Sequence, residues 1–161
     1  MILEGGKSVS LKEKISGFKI FEGLSSDELD KILLLCIEKK YDEEEVIIEE
    51  DSKGSDIYVI LEGRVTVEKK APSSQSSGSS RRRLTTLRDG EIFGEISFLE
   101  GERRSACAIA LDKISMLIID GEKLYKLFDR DNHIGYLMMR NICSILSQRL
   151  CDINFRWRDN I

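Results

Sequence analysis

The sequence predicts a mainly β chain with flanking helices, an α+β fold in which about eight short strands form a jelly-roll barrel. Two observations predict it. The apolar period is helical before Lys40 and again after Asp120, and between them it gives way to short β-branched runs. Those runs are closely spaced and separated by turn residues, the pattern of a barrel or jelly roll rather than of an open sheet. At 161 residues the chain is read as one domain, 1–161, with no internal repeat. Its predicted parts are N-terminal helices over 10–38, a β-barrel over 39–119 with a flexible loop at 71–82, and C-terminal helices over 120–158. A domain of this size buries roughly two-thirds of its unfolded surface, so it needs neither disulfides nor a metal for stability.

A short helical piece is expected around Leu11 to Ser16. The clearer start lies at Ser25-Ser26-Asp27-Glu28, a capping box with Ser25 as N-cap and Glu28 three residues on. Leu29, Ile32, Leu33 and Cys36 follow at helical spacing. Strands are then expected at Val46–Ile48, Asp56–Leu61 and Arg64–Glu68, where Val65 and Val67 share one face. Glu62-Gly63 stands between two of them at hairpin distance, and Gly63 can supply a positive φ. Residues 72–80 are Pro, Ser, Gln and Gly, a composition that packs no core and reads as a loop. Strand signals resume at Leu84–Leu87, Ile92-Phe93, Ser105–Ala110 and Ile114–Ile119. Leu124, Leu127 and Phe128 then mark a short amphipathic helix. A longer one starts near Asn132, and its apolar residues exceed one narrow stripe.

Composition narrows the function classes. Hydrophobic residues make up 41% and charged residues 34%, as in ordinary soluble proteins. No apolar run reaches membrane-spanning length, and the N-terminus lacks an apolar signal core. No membrane partner is expected, and the location is read as cytoplasmic. Cys36, Cys107, Cys143 and Cys151 are scattered without a CxxC pair, which fits reduced thiols better than a metal centre. The net charge of −4 counts against a nucleic-acid partner. Arg81-Arg82-Arg83 beside the Ser-rich stretch reads as a solvated loop edge. A metal-dependent barrel enzyme needs clustered His and carboxylate ligands, and His133 is the only histidine in the sequence. No catalytic residue and no cofactor is assigned.

One stretch carries the chemistry, Phe93-Gly94-Glu95-Ile96-Ser97-Phe98-Leu99 followed by Arg103-Arg104-Ser105-Ala106. Gly94 has no Cβ, so the backbone can approach a ligand, and the amides that follow can point at an anion. Arg104 offers a permanent planar cation suited to bidentate phosphate binding. Ser105 adds a hydroxyl. Glu95 accepts hydrogen bonds only, which suits a sugar hydroxyl and repels a phosphate. On residue chemistry alone this is either an anion-binding cassette or an ordinary turn with surface charges.

The stretch resembles the phosphate-binding cassette of cyclic-nucleotide-binding domains. Such domains occur in regulatory subunits of cAMP-dependent protein kinase, in cyclic-nucleotide-gated channels and in the bacterial catabolite activator family. Phe21-Glu22-Gly23-Leu24, Asp56 to Gly63 and Asp89-Gly90 match in order and spacing, so the resemblance covers about residues 18–155. It implies a double-stranded β-helix barrel and a regulatory module that binds cAMP or cGMP and is no enzyme. Arg104, rather than Arg103, would pair with the cyclic phosphate, and Glu95 would accept the ribose 2′-OH. Gly94, Ile96 and Ser97 would complete the cradle behind Phe93, with Ser105 against phosphate or base and Ala106 closing the motif.

The resemblance also implies that the last helix covers the base as a lid. Aligning Arg149-Leu150 on the family's Arg-Leu sets Ile153 and Asn154 near the base, where the catabolite activator has hydroxyl residues, and Trp157 could stack on it. Ligand-driven movement of the C-terminal helices would signal to a protein effector, and the apolar excess on the last helix fits a homodimer. Two alternatives stand beside this. One is a degenerate domain that binds no nucleotide and docks proteins, against which Glu95 and Arg104 are both present. The other is the sensor fragment of a transcription regulator. After Arg158 only three residues remain, too few for a DNA-reading module, and Met1 reads as a natural start.

Overall fold

The computed structural model describes residues 5–70, 81–101 and 103–158. They fall into a β unit, Ile32–Leu124, and a helical unit formed by Met1–Lys31 with Tyr125–Ile161.

In the β unit, strands β1 (Cys36–Tyr41), β8 (Ile114–Ile119), β3 (Ile57–Glu62) and β6 (Ile92–Phe93) make one sheet in that order. Strands β2 (Val46–Ile48), β7 (Cys107–Ala110), β4 (Val65–Lys70) and β5 (Arg81–Leu87) make the other. Every pairing is antiparallel. Tyr41, Ile60, Phe93 and Met116 from the first sheet and Ile48, Val65, Leu87 and Ala110 from the second share one buried core. Burying such side chains is worth roughly 1.5–3 kcal/mol each, which holds the sheets together without disulfides. Among the described residues no strand pairing joins one sheet to the other, so the expected jelly-roll barrel takes the form of two antiparallel sheets and is not closed.

The chain passes between sheets at Glu62-Gly63, which corrects the expected hairpin, since β3 and β4 lie in different sheets. Side chains from distant turns hold the crossing. Asp89 Oδ1 accepts the Gly63 N–H at 2.8 Å, and Asp112 accepts both the Arg64 N–H and Nε at 2.8 Å. Gly63 has φ +103°, and a Cβ there would lie 2.4 Å from Ile114 Cγ2. Replacing Gly63 by Ala should cost at least about 2 kcal/mol, from left-handed strain plus the clash. Denaturant unfolding tests this, and a loss below about 0.5 kcal/mol would contradict the crossing as described.

The predicted helical range 10–38 also needs correction. Helix α1 spans Gly5–Ser16 and α2 spans Ser26–Leu33, while Cys36 already opens β1, opposite Ile119 of β8. Cys36 mimics helical spacing because the chain turns back on itself, so its Sγ donates to Ile32 O at 3.1 Å. Burial pushes that thiol up to about 12. Arg81 and Arg82, assigned to the loop 71–82, belong to β5, where the backbone ladder to β4 extends to Lys70 despite the polar composition. The rest of that loop, 71–80, lies outside the described residues.

Within the helical unit the capping box forms as read. Glu28 Oε2 accepts the Ser25 N–H at 2.8 Å, and Ser25 Oγ accepts the Glu28 N–H at 3.3 Å. Ser25→Ala should therefore cost about 1 kcal/mol, visible as a lowered Tm. A 3-10 turn at Lys19–Phe21 packs against α5 (Asn132–Arg158), where buried Asn141 donates to Ile20 O and Glu22 O at 3.0 and 2.8 Å. Helix α4 (Gly121–Arg130) runs from the β unit into the helical one.

Candidate functional site

Strand β6 ends at Phe93, which is paired with Tyr58 of β3 and stacked on its ring at a centroid distance of 4.9 Å. The next residue, Gly94, has φ +82° and caps a six-residue helix, α3 (Glu95–Glu100). Gly101, at φ +69°, ends it and donates its N–H to Ser97 O at 3.0 Å. Sequence reasoning missed α3, whose single turn and a half shows no usable apolar period.

Past α3 the chain returns beside residues 51–52. The Arg104 N–H donates to Ser52 O, and Arg104 O accepts the Asp51 N–H, both at 2.9 Å. This anchoring aims the Arg104 side chain inward, where it is only 4% exposed. Its Nη1 donates to Gly94 O at 3.0 Å and to Asp56 O at 3.1 Å. The guanidinium lies 5.6 Å from the centre of the Tyr58 ring. A Cβ on Gly54 would approach Nη2 to 3.0 Å, and one on Gly94 would meet Nη1 and Asp56 O, each at 2.7 Å. Two glycines thus let backbone close around one cation.

Burial draws the Arg104 guanidinium below its ordinary value, while Tyr58, Asp56 and Glu95 push the other way. Burial also raises the Tyr58 phenol, which keeps the ring neutral beneath the cation. An arginine stays charged under such shifts. The two main-chain carbonyls it contacts are dipoles and carry no net charge. The arrangement therefore holds a desolvated cation at the start of a short helix, chemistry suited to an anion with a planar, two-oxygen face.

The residues singled out from sequence divide clearly. Phe93, Gly94, Glu95 and Arg104 come together, with Glu95 3% exposed in the first turn of α3. Ser97 is buried and its Oγ donates to Arg103 O at 3.5 Å, whereas Ile96 is exposed. Arg103 lies at the surface and donates from Nη1 to Asp51 O at 2.7 Å. That favours Arg104 as the inward cation. Ser105 is exposed and Ala106 half-buried. Ile153 and Asn154 stand exposed on the last turns of α5, in the helical unit, and the side chain of Trp157 lies outside the described residues. Tyr58, Asp56 and Gly54 were not assigned to the site from sequence. The Asp56–Gly63 run that carried part of the resemblance was the signal for the first two.

A family model, the cyclic nucleotide-binding domain, matches residues 38–131. The chain belongs to that family, whose domains regulate rather than catalyse. It is 28% identical over 136 residues to the cyclic AMP receptor protein of Thermus thermophilus, covering 84% of this chain and 59% of that protein. It is 31% identical over 104 residues to cGMP-dependent protein kinase 2 of Homo sapiens, covering 64% of this chain and 13% of the kinase. The chain thus spans about three-fifths of the first relative and a small part of the second. Among solved structures, a cyclic nucleotide-binding domain from Methylobacillus flagellatus superposes with a TM-score of 0.82 at 20% identity, covering 99% of this chain and 88% of that one. Thermus thermophilus catabolite activator protein superposes with a TM-score of 0.70 at 26% identity, covering 87% and 62%. Among the described residues no group of His, Cys, Asp and Glu could hold a metal, and no helix is long and apolar enough to cross a membrane.

Proposed function

We propose that residues 1–161 act as one sensor module that binds cAMP or cGMP at the Gly94–Ser97 turn and passes the signal through its C-terminal helices to a protein effector. The observation that carries this reading is the buried guanidinium of Arg104, bonded to Gly94 O beside the first turn of α3. A cyclic phosphate has the two exocyclic oxygens that such a cation pairs with, and it needs one planar donor rather than a lysine-type point charge. Glu95 takes the ribose 2′-OH, the amides of Ile96 and Ser97 complete the cradle, and Ser105 and Ala106 border it. The two sheets serve as the double-stranded β-helix scaffold, and the module itself performs no chemistry.

Ile153, Asn154 and Trp157 are the lid positions in this reading, able to meet the base when the helical unit moves. A ligand can shift that helical equilibrium only through such differential contacts. Leu150 and Ile153 are 60% and 51% exposed on the same helix, which supports a homodimer through α5. One relative is a cyclic AMP receptor protein and another a cGMP-dependent protein kinase, which supports the ligand class for either base. The module acts in the cytoplasm, with neither membrane nor nucleic acid as its own partner.

Isothermal titration calorimetry with cAMP, cGMP, the 2′-deoxy analogue of whichever binds, and 5′-AMP tests this. One cyclic ligand should bind saturably, its 2′-deoxy analogue about tenfold or more weakly, and 5′-AMP not at all. Silence from both cyclic ligands would end the sensor reading and leave a protein-docking domain.

A further inference from the structure

We propose that the outer edge of β5, with the basic end of the β4–β5 ribbon, is a docking surface for an extended acidic segment of a partner protein, added to the sheet as a further strand. This proposal does not rest on the cyclic-nucleotide reading. β5 closes one side of its sheet, in the order β2-β7-β4-β5, and it runs for seven residues. An edge strand leaves alternate N–H and C=O groups free of ladder partners.

The register places Lys70 opposite Arg81 and Lys69 opposite Arg82. Two successive like-charge pairs across a ladder oppose strand pairing. Arg83 follows, opposite Glu68, and all five cationic residues are exposed. Arg81 has an acidic neighbour in Glu49 at 3.6 Å. Among the described residues, Lys69, Lys70, Arg82 and Arg83 enter no ion pair. A single lysine is a common guard against edge-to-edge aggregation. Five cations crowded onto both strands exceed that need. They repel a second copy of the same edge while attracting a strand of opposite sign, which is specificity by charge.

The observations favour a polypeptide over other polyanions. The sheet edge offers main-chain hydrogen bonds that only another extended chain can use. Each arginine fork matches a carboxylate bidentately. Leu84, 50% exposed between the arginines and Thr85, gives an apolar contact for an intervening side chain. Glu49 and Glu68 beside the cations disfavour a continuous phosphate backbone or an anionic bilayer surface.

The test uses the full chain and a fluorescein-labelled octapeptide, Glu-Val-Glu-Thr-Glu-Val-Glu-Thr, followed by fluorescence anisotropy at low ionic strength. Saturable binding is expected. It should weaken about tenfold or more with the Arg82→Glu/Arg83→Glu variant, and equally with a peptide carrying proline at its centre. The proline arm uses the unaltered protein, so it stands even if the double variant folds poorly. Arg104→Ala should leave peptide binding unchanged, which separates this site from the nucleotide site. Absence of binding, equal binding of the proline peptide, or indifference to the charge reversal overturns the proposal. So does tighter binding of a duplex DNA 12-mer or of phosphatidylserine vesicles.

Discussion

Arg104→Ala should abolish the response of this protein to a cyclic nucleotide while leaving it folded. In the parent, a ligand at a hundred times its Kd stabilises the native state by about 2.7 kcal/mol, which appears as a raised Tm. The variant should show no such rise, and by titration its affinity should fall roughly 100-fold or more, about 3 kcal/mol. The magnitude follows from burial. The guanidinium is 4% exposed and already desolvated, so its pairing with a phosphate does not repeat that cost on binding. The fold should tolerate the change for the same reason in reverse. Removing the side chain leaves Gly94 O and Asp56 O without those donors, a loss of roughly 1–3 kcal/mol, but it also removes a buried charge. Arg104→Lys sharpens the test. It keeps the charge and loses the planar fork that can offer a phosphate two parallel donors, so it should recover only part of the affinity. An alanine variant that still shows the parent's ligand-induced shift in Tm would move the phosphate contact elsewhere, with exposed Arg103 the first place to look.

How far the sequence revealed this depends on the range of the interactions involved. The capping box at Ser25 and Glu28 spans three residues, so composition and spacing specify it directly. The cassette was singled out through its resemblance to a known motif, and the structure sets Gly94 and Glu95 at the start of α3 with Arg104 beyond its end. The route of the chain after β3 was not legible. Gly63 announces a positive φ, yet the crossing is held by Asp89 and Asp112, which lie 26 and 48 positions from the groups they bind. Cys36 shows the opposite error, since i,i+4 spacing from Ile32 is satisfied by a chain reversal as well as by a helix. Helix α3 is specified chiefly by the left-handed glycines at its two ends rather than by periodicity. The stack of Arg104 over Tyr58 and Tyr58 on Phe93 needs three segments side by side, which the register of β3 on β6 and the backbone bonds of Arg104 to residues 51 and 52 supply together.

Those two end glycines lead to the second large effect, in which one is a stringent position and the other a lenient one. Gly94 and Gly101 have nearly the same left-handed backbone, φ +82° and +69°, at the two ends of α3. Alanine at either incurs left-handed strain of about 1–2 kcal/mol. Their surroundings differ completely. A Cβ added at Gly101 would have nothing within 4 Å, whereas one at Gly94 would meet Arg104 Nη1 and Asp56 O at 2.7 Å and Tyr58 Cδ2 at 3.1 Å. Asp56 O is main chain, and Tyr58 is held by its stack on Phe93, so neither can yield cheaply. Gly94→Ala should therefore lose about 3–4 kcal/mol in all, while Gly101→Ala should stop near about 1–2 kcal/mol. For a chain of this length each kcal/mol lowers Tm by roughly 2–4 °C, so a Tm difference of several degrees should separate the two variants. Ligand binding should separate them further, since displacing Arg104 disturbs the cation itself, whereas a Cβ at Gly101 would reach no residue of the site. Equal losses from the two variants would mean that the backbone does not close around Arg104 as described, and that the left-handed turn alone accounts for both glycines.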